Sequence, residues 1–97
     1  MRNGMRPIHP GEILREEYLV PLAMSANALA HAIGVPANRV SAIVAERRSV
    51  TADSALRLAR YFGTTAEFWL SMQTTHDLRK AEREVGALIR RTVKPAA

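Results

Sequence analysis

The sequence predicts an all-α domain of five helices, and three observations lead there. Hydrophobic residues make up 47% of the chain but only one Trp, two Tyr and two Phe are present, so the core must be built mainly from Leu, Ile, Val and Ala. Apolar residues recur at spacings of three and four between prolines, glycines and hydroxyl side chains suited to helix ends. No segment alternates convincingly as a strand would, and there is no internal repeat or low-complexity tract. At 97 residues the chain is large enough for one core but not for an elaborate enclosed site.

The opening "MRNGMR" lacks periodicity, and residues 1–8 are expected to form a flexible N-terminus. "HPGEILREEYLVPLAM" begins the first helix. Pro10 suits its first position, Glu12 and Glu16 favour the positive end of its dipole, and Ile13, Leu14, Tyr18 and Leu19 supply its buried face. Pro21 ends or kinks it. Ser25 is a good N-cap for a second helix, which carries Leu29, Ala30 and Ile33 inward and stops at Gly34. A short third helix runs from Pro36 or Ala37 to about Ala45, its inner face formed by Val40, Ile43 and Val44. "ERRSV" is polar and basic, hence a loop. Thr51 caps a fourth helix, whose stripe of Ala55, Leu58, Ala59 and Phe62 closes at Gly63. Thr64 and Glu67 have the spacing of a capping box and open the fifth. Beyond it Leu78, Ala81, Val85 and Leu88 form a seam, in which Gly86 weakens the helix by ~1 kcal/mol.

Ala30, Gly34, Val35, Val40 and Ile43 meet the separate demands of a helix-turn-helix. Ala30 lets two helices approach, Gly34 permits the turn, and Val40 with Ile43 fixes the outer helix so that its opposite face projects. That opposite face is Ala37, Asn38, Ser41 and Ala42. Short residues suit a helix lying in a major groove, where Asn can pair with adenine and Ala can touch a thymine methyl. Arg39, Arg47 and Arg48 then pair with phosphates, adding affinity that carries little sequence information. Residues 9–76 are accordingly expected to be a DNA-binding domain. Residues 77–97 are expected to be a basic C-terminal helix or tail available for dimerisation.

Charge supports a polyanionic partner: the net charge is +5 and the pI near 10.7. The excess lies around the helix-turn-helix and in the tail, where six basic residues face three acidic ones after His76. Zero cysteines exclude disulfides and thiolate metal sites. With no export signal and no apolar run of about 18 residues, a cytoplasmic protein outside the membrane is expected. His9, His31 and His76 lack metal-ligand spacing, and no serine has a nucleophile-elbow context. No metal, cofactor or enzymatic activity is therefore expected.

"HPGEILREEYL", "TADSALRLARYFGT" and "EFWLSMQ", within a match from His9 to Leu78, resemble the HigA-type antitoxins, a branch of the lambda-repressor-like helix-turn-helix proteins. The resemblance covers about 70 of 97 residues. It implies a dimeric repressor that binds double-stranded operator DNA in its own promoter and also binds a neighbouring HigB-like toxin, a small mRNA-cleaving ribonuclease. By position it makes Asn38, Ser41 and Ala42 base readers, and Ser25, Asn27, Arg39, Arg47 and Arg48 backbone contacts. Two places depart from the pattern. Ala26 stands where many relatives have a DNA-reaching Gln, and Pro36 where many helix-turn-helix proteins have a capping Ser or Thr.

A two-fold operator needs a dimer, and Trp69 with Phe68 and Met72, joined by Leu70, Gln73 and Leu78, could form its interface; simple core packing is the other reading of Trp69. A basic tail is an awkward partner for a basic ribonuclease, so toxin contact is expected at the acidic first helix, through Glu12, Glu16 and Glu17. Two alternatives stand beside the antitoxin: a regulator of this fold acting without a toxin, and a helical interaction domain that does not touch DNA.

Overall fold

In the computed structural model, which describes residues 6–96, helix α1 (Pro10–Ile13) runs directly into a π-helical segment, Leu14–Leu19. Four further helices follow: α2 (Ala26–Ile33), α3 (Ala37–Val44), α4 (Ala52–Phe62) and α5 (Ala66–Thr92), with no strand among the described residues. The all-α, five-helix expectation holds. Of the N-terminus expected to be flexible, residues 1–5 lie outside the described residues, whereas Arg6 is tied to Glu12 by bonds of 2.9 and 3.2 Å.

Pro21 explains the widened turn before it. It has no N–H to donate, and in a regular helix its ring would meet the carbonyl four residues back. The chain responds with i→i−5 bonding, as in Val20 N–H donating to Arg15 O at 3.0 Å, before Leu22 N–H returns to Tyr18 O at 3.1 Å. The helix therefore ends at Leu19, and Pro21 lies in the turn just after it.

The first four helices close with one device, an N–H bonded back to the carbonyl five residues earlier around a residue of positive φ. The bonds run from Met24 to Leu19, Val35 to Ala30, Arg47 to Ala42 and Thr64 to Ala59, at 2.9 to 3.1 Å. Gly34 and Gly63 supply the left-handed residue in two cases (φ 74° and 73°), as the sequence predicts. Ala23 (φ 53°) and Glu46 (φ 64°) do so in the others, where no glycine marks the stop.

One core joins the helices. Leu14, Leu19, Leu29, Ala30, Val40, Ile43, Val50, Ala55, Leu58 and Trp69 are buried in it. Tyr18, Phe62 and Trp69 meet as a cluster, their ring centroids 4.7 to 6.4 Å apart. α2 packs on α3 and α4, while α1 touches both α3 and α5.

The capping expectation for α5 needs correction. Thr65, not Thr64, is the N-cap, accepting from Phe68 N–H at 3.1 Å. The Thr64 hydroxyl accepts instead from the indole N–H of the buried Trp69 at 2.8 Å, a donor that needs a partner once it leaves water. α5 then continues unbroken for 27 residues, ~40 Å at 1.5 Å per residue, and accounts for the molecule's 51 Å long axis. The expected boundary between residues 76 and 77 thus falls inside a helix. From residue 77 onward every described residue is exposed except Gly86.

Candidate nucleic-acid interface

The outer helix of the helix-turn-helix is held from behind by three sets of contacts. Val40 and Ile43 are buried at 2% and 3% exposure, facing Leu29 and Ala30 within the same core. Gly11 of α1 lies so close to α3 that a Cβ there would sit 1.8 Å from the Ile43 carbonyl oxygen. Only glycine allows that approach. Arg15, one turn further, donates from Nη1 to the Val44 carbonyl at the C-terminal end of α3 and is itself steadied by Glu16 (3.0 Å) and Glu46 (3.7 Å).

With its back fixed, α3 presents Ala37, Asn38 and Ser41 to solvent, with Ala42 half-buried beside them. These are the residues expected to read bases, and the fold brings them together on one face. The Ser41 hydroxyl donates to the Asn38 carbonyl at 3.3 Å, whereas the Asn38 side chain is exposed. Pro36 is the N-cap rather than the first helical residue and supplies no side-chain acceptor. The first N–H groups of α3 are therefore uncapped, a favourable end for an anion.

The residues expected at the DNA backbone lie at the start of α2, in α3 and in the loop after it. Ser25 caps α2 by accepting from Ala28 N–H at 3.0 Å, and Asn27 is exposed in the same first turn. Arg47 and Arg48 are exposed in the loop after α3 and have no ion-pair partner among the described residues. Arg39 is placed differently: half-buried, it lies 3.3 Å from Asp53 in the first turn of α4. Asp53 also accepts from Arg57 Nε at 2.7 Å, and Arg57 Nη1 donates to the Ile33 carbonyl at 2.8 Å, bracing the turn between α2 and α3. The bond from Arg57 holds the Asp53 carboxyl below its ordinary pKa, with burial opposing it and the charges of Arg57 and Arg39 assisting.

The arginine loop is anchored to α5. Gln73 Oε1 accepts the buried Val50 N–H at 2.8 Å, and Gln73 Nε2 donates to Asp77 at 3.0 Å. Burial works against Asp77's charge, but hydrogen bonds from His76 and Gln73 outweigh it and its pKa lies below the usual value. His76 in turn meets His9 edge to face, with ring centroids 4.9 Å apart. His9 is buried, and its Nδ1 accepts the Gly11 N–H at 2.8 Å, capping α1. His9 and His76, distant in sequence, are thus neighbours in space, while His31 is exposed on α2.

Three residues given other roles turn out to be structural. Trp69 is wholly buried, so core packing, not a subunit interface, is its role. Gln73, also assigned to that interface, is 5% exposed and committed to Val50 and Asp77. Glu12 is 6% exposed and paired with Arg6, which removes it from the acidic surface and leaves Glu16 and Glu17 exposed there. Of the other interface residues, Phe68 and Leu78 are exposed and Leu70 and Met72 half-buried.

Gly11, Arg15, Asp53 and Arg57 were missed. Gly11 stands in "HPGE", where Pro10 alone already accounts for a helix start, and the others act through contacts 14 to 29 residues away. Only a glycine inside the first turn, where it weakens the helix, hinted that something packs closely there.

The helix-turn-helix family HTH_3 matches residues 14–69, from the π-helical segment to Trp69. Virulence-associated protein I of Dichelobacter nodosus is 58% identical over 83 residues, 86% of this chain and 77% of its own length. Antitoxin HigA-1 of Vibrio cholerae is 42% identical over 73 residues, 75% of this chain and 69% of that protein. Among solved structures, the Pseudomonas aeruginosa antitoxin HigA with the higBA promoter superposes at a TM-score of 0.91 and 46% identity, covering 95% of this chain and 100% of that one.

Proposed function

Because this chain belongs to the helix-turn-helix family HTH_3, and within it to the HigA-type antitoxins, we propose that it binds operator DNA in its own promoter, represses its operon and neutralises a HigB-like mRNA-cleaving toxin by direct contact. The observation that carries the DNA part is the two-sided character of α3. Val40 and Ile43 are locked into the core, while Ala37, Asn38 and Ser41 stand exposed, small enough to let the helix approach base edges. Solved relatives with promoter or operator DNA support the same reading.

In this reading Asn38, Ser41, Ala37 and Ala42 face the bases, and Ser25, Asn27, Arg47 and Arg48 hold the flanking phosphates. The chain acts as a dimer whose contact uses Phe68, Leu70, Met72 and Leu78 and extends along the exposed seam of α5. Glu16 and Glu17 form the acidic patch for a basic toxin. None of these roles requires catalysis by this chain.

A gel shift with the upstream DNA, run with and without the product of the adjacent gene, tests the proposal. A retarded band whose affinity falls steeply with salt, and whose mobility or intensity changes with the neighbouring protein, is expected. Retardation that the neighbour leaves unchanged favours the stand-alone regulator. Binding that is absent or flat with salt removes the DNA-binding reading. Asn38→Ala should cost ~1–3 kcal/mol at one base position, and Arg48→Ala should weaken binding to all sequences alike.

A further inference from the structure

Among the described residues, Arg39 is the one arginine of the candidate interface already paired within the chain, and its pairing is poor. Its Nη1 lies 3.3 Å from Asp53 Oδ1, a long bond for two charged groups, and its Nε is buried with no hydrogen-bond partner. Asp53 meanwhile gives its short bond, 2.7 Å, to Arg57, and Arg57 has a second anchor on the Ile33 carbonyl. Arg39 has no second anchor of this kind among the described residues. Its guanidinium reaches from α3 across to Asp53 in the first turn of α4. A phosphate there could take a forked contact that Asp53, shared with Arg57, does not offer.

We propose that Asp53 is a specificity-determining residue, an internal stand-in for phosphate that withholds Arg39 from DNA of arbitrary sequence. The inference rests on the DNA-binding reading above. A phosphate contact strengthens binding to every sequence equally, so an arginine free at all times raises background binding along with operator binding. Held by Asp53, Arg39 transfers to the backbone when base contacts seat α3 closely and keep a phosphate within reach. On other DNA the carboxylate retains it. The contact is thereby reserved for the operator.

Salt titrations of four proteins test this: wild type, Asp53→Asn, Arg39→Ala and the double variant. Each is measured on a duplex from the chain's own upstream region and on a scrambled duplex of equal length. Asp53 is exposed, and a thermal melt of each variant checks that it folds. On scrambled DNA, Asp53→Asn is expected to bind more tightly with a salt slope steeper by about 0.9, so its advantage shrinks about 3- to 4-fold between 50 and 200 mM salt. On operator DNA its slope should match wild type, so the specificity ratio falls. The gain should vanish in the double variant.

A scrambled-DNA slope equal to wild type overturns the proposal. So does a gain that persists without Arg39, which would reflect simple loss of a negative charge. Weaker binding to both duplexes would make Asp53 a support for Arg39 instead, and overturns it as well. If wild type itself binds neither duplex, the functional reading fails along with this inference; if wild type binds and Asp53→Asn copies it, only the inference fails.

Discussion

Leu58 in α4 and Leu88 in α5 are both leucines in helical stripes spaced by threes and fours, yet one is 1% exposed and the other 50%. The difference lies in what the rest of the chain can reach. α2, α3 and α4 are short, and tight left-handed turns fold them back, so each apolar stripe meets another. α5 runs on for ~40 Å, and its second half outruns its partners among the described residues. Leu78, Val85, Leu88, Ile89 and Val93 are left exposed along it. Periodicity therefore identifies an apolar face but not what covers it, and the core of this chain is complete without that seam.

The largest effects should separate these two regions. Leu58→Ala opens a cavity in a closed core and should cost about 2–5 kcal/mol, read from urea midpoints. Leu88→Ala at an exposed site should cost no more than about 0.5 kcal/mol in a dilute sample. If the seam is used for pairing, Leu88→Ala should instead weaken self-association, seen by sedimentation over a range of concentrations. Equal destabilisation by the two changes would break the comparison.

Gly11→Ala sharpens it on the other side. The added methyl would overlap the Ile43 carbonyl, a backbone atom that cannot rotate away, so α1 and α3 must separate. About 1–3 kcal/mol of overpacking is expected, roughly 4–24 °C in Tm for a chain of this size. Because α3 moves with Ile43, operator affinity should fall in the variant even at temperatures where it remains folded. Gly86→Ala is the control within α5, where the added Cβ would come no closer than 3.4 Å to an arginine nitrogen and should be tolerated.

The His9 cap gives a smaller, pH-dependent effect confined to the body of the domain. Burial lowers the pKa of His9, His76 and Lys80 lower it further, and Glu46 and Asp77 pull the other way. Its Nδ1 accepts from Gly11, so protonating that nitrogen removes the cap. The folded state thus binds this proton less readily than the unfolded chain, whose histidine titrates near about 6.5. The contribution is complete above that pH and is lost as pH falls from there toward the depressed folded value. Stability measured between pH 7.5 and 5 should decline in wild type and decline less in His9→Asn, which keeps an acceptor but cannot titrate. Identical slopes would remove His9 from the account.

Most of the architecture could be read from the chain because its punctuation is local. Ser25, Thr51, Gly34 and Gly63 act within one turn of themselves, and the apolar stripes of α2, α3 and α4 follow directly. The small outward face of α3 is legible for the same reason. What escaped depends on distant contacts. Trp69 stays divided between interface and core until Thr64 is seen to satisfy its indole, Glu12 reads as a surface residue until Arg6 is seen to pair with it, and Val50 sits in a polar "ERRSV" run yet is buried, its N–H bonded to Gln73. Arg39 looked free because Asp53 is fourteen residues on.

The left-handed residues at two of the stops escaped for a local reason, and they allow the finest test. Ala23 and Glu46 adopt positive φ without being glycine, a conformation that costs an L-residue roughly 1–2 kcal/mol because Cβ crowds the following carbonyl. The closing bonds from Met24 to Leu19 and from Arg47 to Ala42 hold them there. Ala23→Gly relieves the crowding, but glycine also gives the unfolded chain more freedom to lose, so the net gain should be only about 0.5–1 kcal/mol. Gly34→Ala imposes the same crowding at the turn of the helix-turn-helix and should lose about as much, with Arg57 Nη1 just 3.3 Å from the added methyl. The mirrored pair asks whether left-handed residues alone set the cost. A loss at Gly34 far exceeding the gain at Ala23 would mean that the Arg57 brace on Ile33 and Gly34, which has no counterpart at Ala23, carries much of that turn.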